Sequence, residues 1–160
     1  MLASIGRRLG DRVNVQLAGG LILGGELAGS DIGVGATVSL IGSALLLAET
    51  SSRPFVLASL TASGSRASAG GEPLSAFDVR LGAAMGKTFW DRFTPYLGVR
   101  AFGGPVFWTM AGEDVTGQDK YHVSAGAGFT LRVPRPSLEL FLEAMPLGEQ
   151  SLSGGLGLAF

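Results

Sequence analysis

The stretch YHVSAGAGFTLRV, residues 121–133, decides the fold expected for this chain of 160 residues. Every odd position in it is apolar, whereas the even positions carry His, Ser, Gly, Gly, Thr and Arg. Successive side chains of a β-strand point to opposite faces, so a period of two indicates a strand with one apolar face and one small or polar face.

The same alternation recurs along the chain, and the segments that show it are separated by connections rich in Gly, Pro, Ser and acidic residues. These connections favour turns, and short turns join antiparallel strands. We therefore predict an all-β chain with eight antiparallel strands in an up-and-down meander, formed by residues 12–160 and preceded by an N-terminal segment, 1–11. The other seven strands are predicted over residues 12–23, 32–48, 53–65, 76–88, 96–108, 138–145 and 151–160.

The composition is unusually apolar for a chain that contains no long apolar run. Mean hydropathy is +0.37 and charged residues make up 16%, against about 25% in ordinary soluble domains. A transmembrane helix needs about 20 consecutive apolar residues, and no segment of the chain supplies them. The net charge of −1 argues against nucleic acid as a partner, and the absence of Cys excludes disulfides and thiolate metal sites.

The apolar side chains are spread over one face of nearly every predicted strand, while the other face carries mostly Gly, Ala, Ser and Thr. An eight-stranded barrel has room inside only for side chains. We expect the small and polar face to fill that space and the Leu, Val and Phe side chains to point outward, which is typical of a transmembrane β-barrel with a filled lumen. A soluble, lipocalin-like barrel with the opposite arrangement is the alternative.

A set of charged residues falls on the polar face of the predicted strands. We interpret these residues as an ion-pair cluster that neutralises itself and fills the lumen, with a narrow channel as the alternative. Two of them, Arg132 and Glu139, share a face on either side of the turn at 133–137 and are expected to pair. The predicted cluster comprises Asp78, Arg80, Arg100, Arg132, Glu139 and Glu143.

Large aromatic residues cluster near the two ends of the predicted strands. Trp and Tyr are enriched where a membrane protein crosses the membrane–water interface. We predict two interfacial girdles, one with Trp90, Phe93 and Tyr96 and the other with Phe107, Trp108 and Tyr121.

The chain closes on SLSGGLGLAF, residues 151–160, with apolar Leu152, Leu156 and Leu158 at alternating positions before Phe160. Together with the eight alternating segments, this ending resembles the small eight-stranded outer-membrane barrels of Gram-negative bacteria, the OmpA/OmpX-like class. The resemblance implies that these four residues are the signal read by the barrel-assembly machinery.

The resemblance also implies a protein of the bacterial outer membrane, in contact with its lipid. The expected role is structural, anchoring or surface interaction, with loops 65–74 and 110–120 facing any protein partner. The resemblance says nothing about activity, and we expect no enzyme activity and no cofactor. No secretory signal is visible near Arg7 and Arg8, and we expect the export segment to have been removed.

A lipid-modifying barrel enzyme is the main alternative function. His122 and Ser124 have the H-x-S spacing of barrel enzymes that deacylate lipid A, and residues i and i+2 of a strand share a face. In those enzymes, however, the pair lies on the penultimate strand and faces lipid. GAAMGKT, residues 82–88, is one residue too short for a phosphate-binding loop and sits in a strand. No metal site is predicted, because the acidic stretch 112–119 lacks the ligand spacing of a calcium loop.

Overall fold

The computed structural model describes residues 2–27, 30–110, 113–118, 120–133 and 138–158. Over these residues the protein is all-β, and its strands pair in antiparallel fashion. No helix with the length and hydropathy needed to span a membrane occurs in the described part of the chain.

The described residues form thirteen strands that belong to one sheet. The strands are β1 Leu2–Leu9, β2 Val13–Ile22, β3 Gly25–Leu27, β4 Ser30–Ile32, β5 Gly35–Leu47, β6 Phe55–Ala69, β7 Glu72–Gly86, β8 Phe93–Gly103, β9 Pro105–Met110, β10 Glu113–Gln118, β11 Val123–Val133, β12 Leu138–Leu147 and β13 Ser151–Leu158.

The main path through the sheet follows chain order as β1-β2-β5-β6-β7-β8-β11-β12-β13. The eight predicted strands correspond to β2, β5, β6, β7, β8, β11, β12 and β13, so the antiparallel meander is confirmed. The path also contains β1, in the segment that the sequence pattern left without a strand. Two short hairpins lie off the path, β3–β4 and β9–β10. A connection is predicted at β3–β4, but β9 takes up residues of the single strand predicted over 96–108. The structure ends that strand as β8 at Gly103, and β9 pairs with β10 and β7 instead.

The chain divides into two compact units, each of which is described by itself below. The first comprises residues 1–43, 59–80 and 102–120, and the second comprises residues 44–58, 81–101 and 121–160.

The side chains of β7 and β8 are exposed in the reverse of the pattern of a water-soluble sheet protein: the apolar ones are exposed and the polar ones are more buried. On β7 the apolar Phe77 and Val79 are 57% and 55% exposed, whereas the intervening Asp78 is half-buried. On β8 the apolar Leu97 and Val99 are likewise exposed and alternate with less exposed residues of the opposite parity. On β7 and β8 one face is therefore apolar and exposed, and the other is more buried and carries small and polar residues. The corresponding faces of the sheet are called here the apolar face and the polar face.

In the β1–β2 hairpin, β2 has the same two faces, whereas residues 3–9 of β1 are all exposed. The strands pair without interruption from Leu2↔Gly20 to Leu9↔Val13. Leu9 and Val13 flank a turn in which Gly10 has φ +70°, a left-handed conformation that glycine adopts without a steric penalty. On the polar face, the Gln16 side-chain amide donates to Ser4 Oγ at 2.7 Å.

The backbone at Gly104, just before β9, lies very close to β7. A Cβ added at Gly104 would lie within 2.9 Å of Asp78 Cα, so only glycine fits there. Phe107 of β9 packs edge-on against Phe77 with ring centroids 6.4 Å apart.

Candidate functional site

The polar face of β8, β11 and β12 in the second unit carries a cluster of hydrogen-bonded and ion-paired side chains. Register places Tyr96 of β8 opposite Gly128 of β11, and Gly128 opposite Glu143 of β12. Directly opposite residues share a face of a sheet. Tyr96, Gly128 and Glu143 therefore form one row across three strands.

The glycine at the centre of this row lets its two neighbours meet. The Tyr96 hydroxyl donates a hydrogen bond to Glu143 Oε2 at 3.1 Å. A Cβ added at Gly128 would lie 2.6 Å from the Tyr96 oxygen, closer than nonbonded atoms tolerate. Because Gly128 has no side chain, the Tyr96 side chain can lie over it and reach Glu143.

Arg100 completes the cluster from the same strand as Tyr96. Its Nη2 forms an ion pair with Glu143 Oε1, and its Nη1 lies 3.8 Å from Glu149 Oε2. Glu143 is 8% exposed, so this carboxylate has lost most of its hydration and depends on Arg100 and Tyr96 for compensation.

Met145 closes the space next to the ion pair. Its side chain is 1% exposed and lies across two glycines that register places opposite each other, Gly98 and Gly126. A Cβ added at Gly98 would meet Met145 Cε at 3.3 Å, and one at Gly126 would meet Met145 Sδ at 2.8 Å. The glycines of β8 and β11 therefore make room for the two large side chains, Tyr96 and Met145.

Ser124 lies beside this cluster, paired in register with Arg100. It is 1% exposed, and its Oγ has no hydrogen-bond partner within the described residues. His122 precedes the start of β11 and is exposed. A serine nucleophile needs a base within hydrogen-bond distance, and none of the described residues forms a hydrogen bond with Ser124 Oγ.

The remaining predicted charges form two separate pairs. In the first unit, Arg80 Nε pairs with Asp78 Oδ2, and the guanidinium carbon lies 5.4 Å from the centre of the Phe102 ring. In the second unit, Arg132 Nη2 lies 3.4 Å from Glu139 Oε2, with side chains 67% and 47% exposed. The Arg132–Glu139 contact is therefore hydrated, unlike the Arg100–Glu143 contact.

A polar network at the β5–β6 connection was not predicted. Glu49 accepts hydrogen bonds from the Thr88 amide at 2.8 Å and from the Thr88 hydroxyl at 2.9 Å. These two bonds, the amide bond above all, lower the pKa of the Glu49 carboxyl. Lys87 Nζ donates to the carbonyls of Thr50 and Ser51 at 2.8 and 2.7 Å. The β5–β6 turn is thus bound to the end of β7.

The predicted interfacial aromatics differ in their surroundings. Trp90 is 82% exposed at the tip of the β7–β8 connection, and Phe93 packs against Phe129 with centroids 5.6 Å apart. Tyr96 instead lies on the polar face, bonded to Glu143.

The other predicted interfacial aromatics are near the β9–β10 hairpin and before β11. Phe107 and Tyr121 are 45% and 48% exposed. Trp108 pairs in register with the buried Leu74, which places it on the polar face. Its Nε1 is buried without a hydrogen-bond partner in the described residues.

The residues predicted as an assembly signal lie in β13. Leu152, Leu156 and Leu158 are 73%, 70% and 65% exposed on the apolar face. Phe160 lies outside the described residues.

Comparison with known proteins identifies no relative of this chain. No protein family model matches the chain, and neither the curated proteins nor the solved structures contain a match.

Proposed function

We propose that this protein is an integral β-barrel of a bacterial outer membrane, of the OmpA/OmpX-like class, with a structural, anchoring or surface-interaction role and no open pore. The wall of the proposed barrel is the sheet of the eight predicted strands, which β1 extends at the edge of β2. Lipid surrounds the apolar face, and the polar face fills the lumen.

The observation that carries this proposal is the inverted exposure of the sheet. In water, the exposed Leu, Val and Phe side chains of the apolar face would form a patch far larger than soluble monomers tolerate. In a bilayer the same face is in contact with hydrocarbon, and the paired strands satisfy their backbone polar groups. At 15 residues, β7 exceeds the span that a tilted transmembrane strand requires, which is about 9–11 residues.

The cluster on the polar face of β8, β11 and β12 supports the proposed absence of an open pore. Tyr96 and Met145 occupy the space left by glycines, and Arg100 binds Glu143 across it. Eight-stranded barrels leave an interior just wide enough to be filled by side chains.

Any protein partner is expected to bind through loops 65–74 and 110–120. The turn between β6 and β7 is only Gly70 and Gly71, and described residues of the second loop form β10. Because both connections are compact, membrane anchoring is a stronger form of the proposal than adhesion through long loops.

The decisive experiment is extraction and electrophoresis of the protein. We expect it to partition with membranes, to require detergent, and to migrate differently on a gel before and after boiling. A monomer that stays in buffer without detergent would contradict the proposal and favour the lipocalin-like alternative. Planar-bilayer recordings should show no conductance, and replacing Ser124 with Ala should leave the lipid A acylation pattern of the host unchanged.

A further inference from the structure

The tip of the β1–β2 hairpin combines a cluster of arginines with exposed apolar side chains. Arg7 and Arg8 end β1 and Arg12 follows the turn, while Asp11 is the one acidic residue among them. All four residues are exposed. Within the described residues, no side-chain hydrogen bond or ion pair engages the three guanidinium groups.

The position of Arg7 on the hairpin points to the kind of surface it faces. It shares the apolar face with Ile5 and Leu9, which are 71% and 53% exposed, and it lies opposite Val15. An arginine on a lipid-facing strand costs about 2–4 kcal/mol at the membrane midplane and about 0–1 near the interface. Given that the apolar face contacts lipid, Arg7 belongs at the level of the lipid head groups.

Arg8 and Arg12 lie near the same turn of the hairpin. Arg8 pairs with Asn14 on the polar face, and Arg12 is part of the turn that Gly10 closes. Arg7 and Arg8 point to opposite faces of β1 within two residues of its end, and Arg12 lies in the turn. Three guanidinium groups and a single carboxylate are thus placed at one end of the hairpin, at the rim of the proposed barrel. A guanidinium presents paired N–H donors that match the oxygens of a phosphate.

We propose that Arg7, Arg8 and Arg12, named here the arginine tip, bind the phosphate groups of anionic phospholipids in the leaflet that the β1–β2 turn contacts. The inference rests on the proposed membrane location and adds a lipid class to it. Exposed arginine near an anionic membrane surface strengthens binding by about 1 kcal/mol, which corresponds to about fivefold per arginine.

The test places a fluorescent reporter at the tip. Leu9→Trp is introduced into a Trp90→Phe, Trp108→Phe background, and the protein is reconstituted in phosphatidylcholine vesicles. Brominated phosphatidylglycerol or brominated phosphatidylcholine is then added at equal mole fraction. The brominated phosphatidylglycerol is expected to quench the introduced tryptophan more strongly, and added salt should reduce the difference because it screens the charges.

Substitution of the arginine tip should remove this preference. Changing all three arginines to Gln should make the two lipids quench equally, whereas Arg66→Gln, at an exposed arginine of β6, should leave the preference unchanged. Equal quenching before any arginine is changed would overturn the proposal but not the membrane location. Quenching by neither lipid would contradict the membrane location itself.

A second measurement keeps all native tryptophans. Native mass spectrometry of the detergent-solubilised protein should show more bound phosphatidylglycerol than phosphatidylcholine, and the triple Gln variant should lose the excess. An excess that persists in that variant would place the lipid site elsewhere and overturn the assignment to the arginine tip.

Discussion

The Tyr96 hydroxyl and the Glu143 carboxylate meet at 3.1 Å across a strand that contributes no side chain between them. Gly128 occupies the intervening position, so the contact requires a residue without a side chain there as well as the two polar groups. The same arrangement recurs where Met145 lies over Gly98 and Gly126.

Gly128→Ala should therefore destabilise the protein more than an ordinary glycine substitution. The added methyl would collide with the Tyr96 hydroxyl oxygen and break the bond to Glu143, and overpacking of this kind costs about 1–3 kcal/mol. Denaturant unfolding in detergent would measure the loss. The matched control is Gly157→Ala, whose Cβ would meet Glu139 Cβ at an ordinary 3.9 Å; equal losses in the two variants would contradict the role of Gly128.

Glu143→Gln should cost far more stability than Glu139→Gln. Both changes remove the carboxylate from an arginine pair, but Glu143 is buried and Glu139 is largely hydrated. Breaking a buried pair costs up to about 3–5 kcal/mol, whereas an exposed pair contributes about 0–1 kcal/mol. The free energies of unfolding of the two variants, measured side by side, check this ranking. Similar values would show that Arg100 does not depend on Glu143.

Acidification should weaken the β5–β6 turn through Glu49. The folded pKa of this carboxyl is lowered, so its stabilising contribution is present above the unfolded pKa and is lost as pH falls through the folded pKa. Glu49→Gln should lower stability at neutral pH and flatten the decline on acidification. Urea unfolding of both proteins across the acidic range tests this. Parallel pH profiles would exclude a contribution from the Thr88–Glu49 bonds.

The turn from Phe89 to Arg92 should gain stability from a glycine. Trp90 and Asp91 have φ of 53° and 56°, and the Arg92 amide donates to the Phe89 carbonyl at 3.1 Å. This is a type I′ turn, in which the second central residue is preferably glycine. Asp91→Gly should stabilise the fold by about 1 kcal/mol by relieving the left-handed strain, and Asp91→Ala should not. A lower unfolding midpoint for the glycine variant would argue against strain at this position.

Alternation predicted the main strands because each buries only one face. On β7 the exposed Phe77 and Val79 and the half-buried Asp78 and Arg80 follow the predicted parity. The alternation failed to predict β1, in which Arg7 interrupts the apolar parity of Ile5 and Leu9. Such a strand is held by its backbone hydrogen bonds to β2. Backbone pairing does not require apolar residues at alternate positions, so the sequence shows no period of two.

Strand β10 was missed for a related reason. All described residues of β10 are exposed, so neither face requires apolar side chains and the segment reads as a polar loop. Its strand character comes from the register with β9, from Glu113↔Met110 to Gln118↔Pro105.

The candidate site was only half predictable. Parity alone placed Arg100 and Glu143 on one face, but which residues meet depends on register, and a shift of one residue exchanges the faces. The register between β11 and β12 shifts between Ala125 and Ala127. An irregularity of this kind has no reliable signature in a single sequence, so the Tyr96–Glu143 contact became visible only in the structure.

The Gly70–Gly71 turn between β6 and β7 also has a practical value for mapping the protein in cells. Both glycines have positive φ, 59° and 88°, and a Cβ added at Gly71 would meet no atom within 4 Å. An exposed turn tip of small residues is where chains tolerate inserted peptides. An epitope inserted between these glycines would report, by antibody labelling of intact cells, whether this end of the sheet is at the cell surface, as one side of the proposed membrane barrel would be.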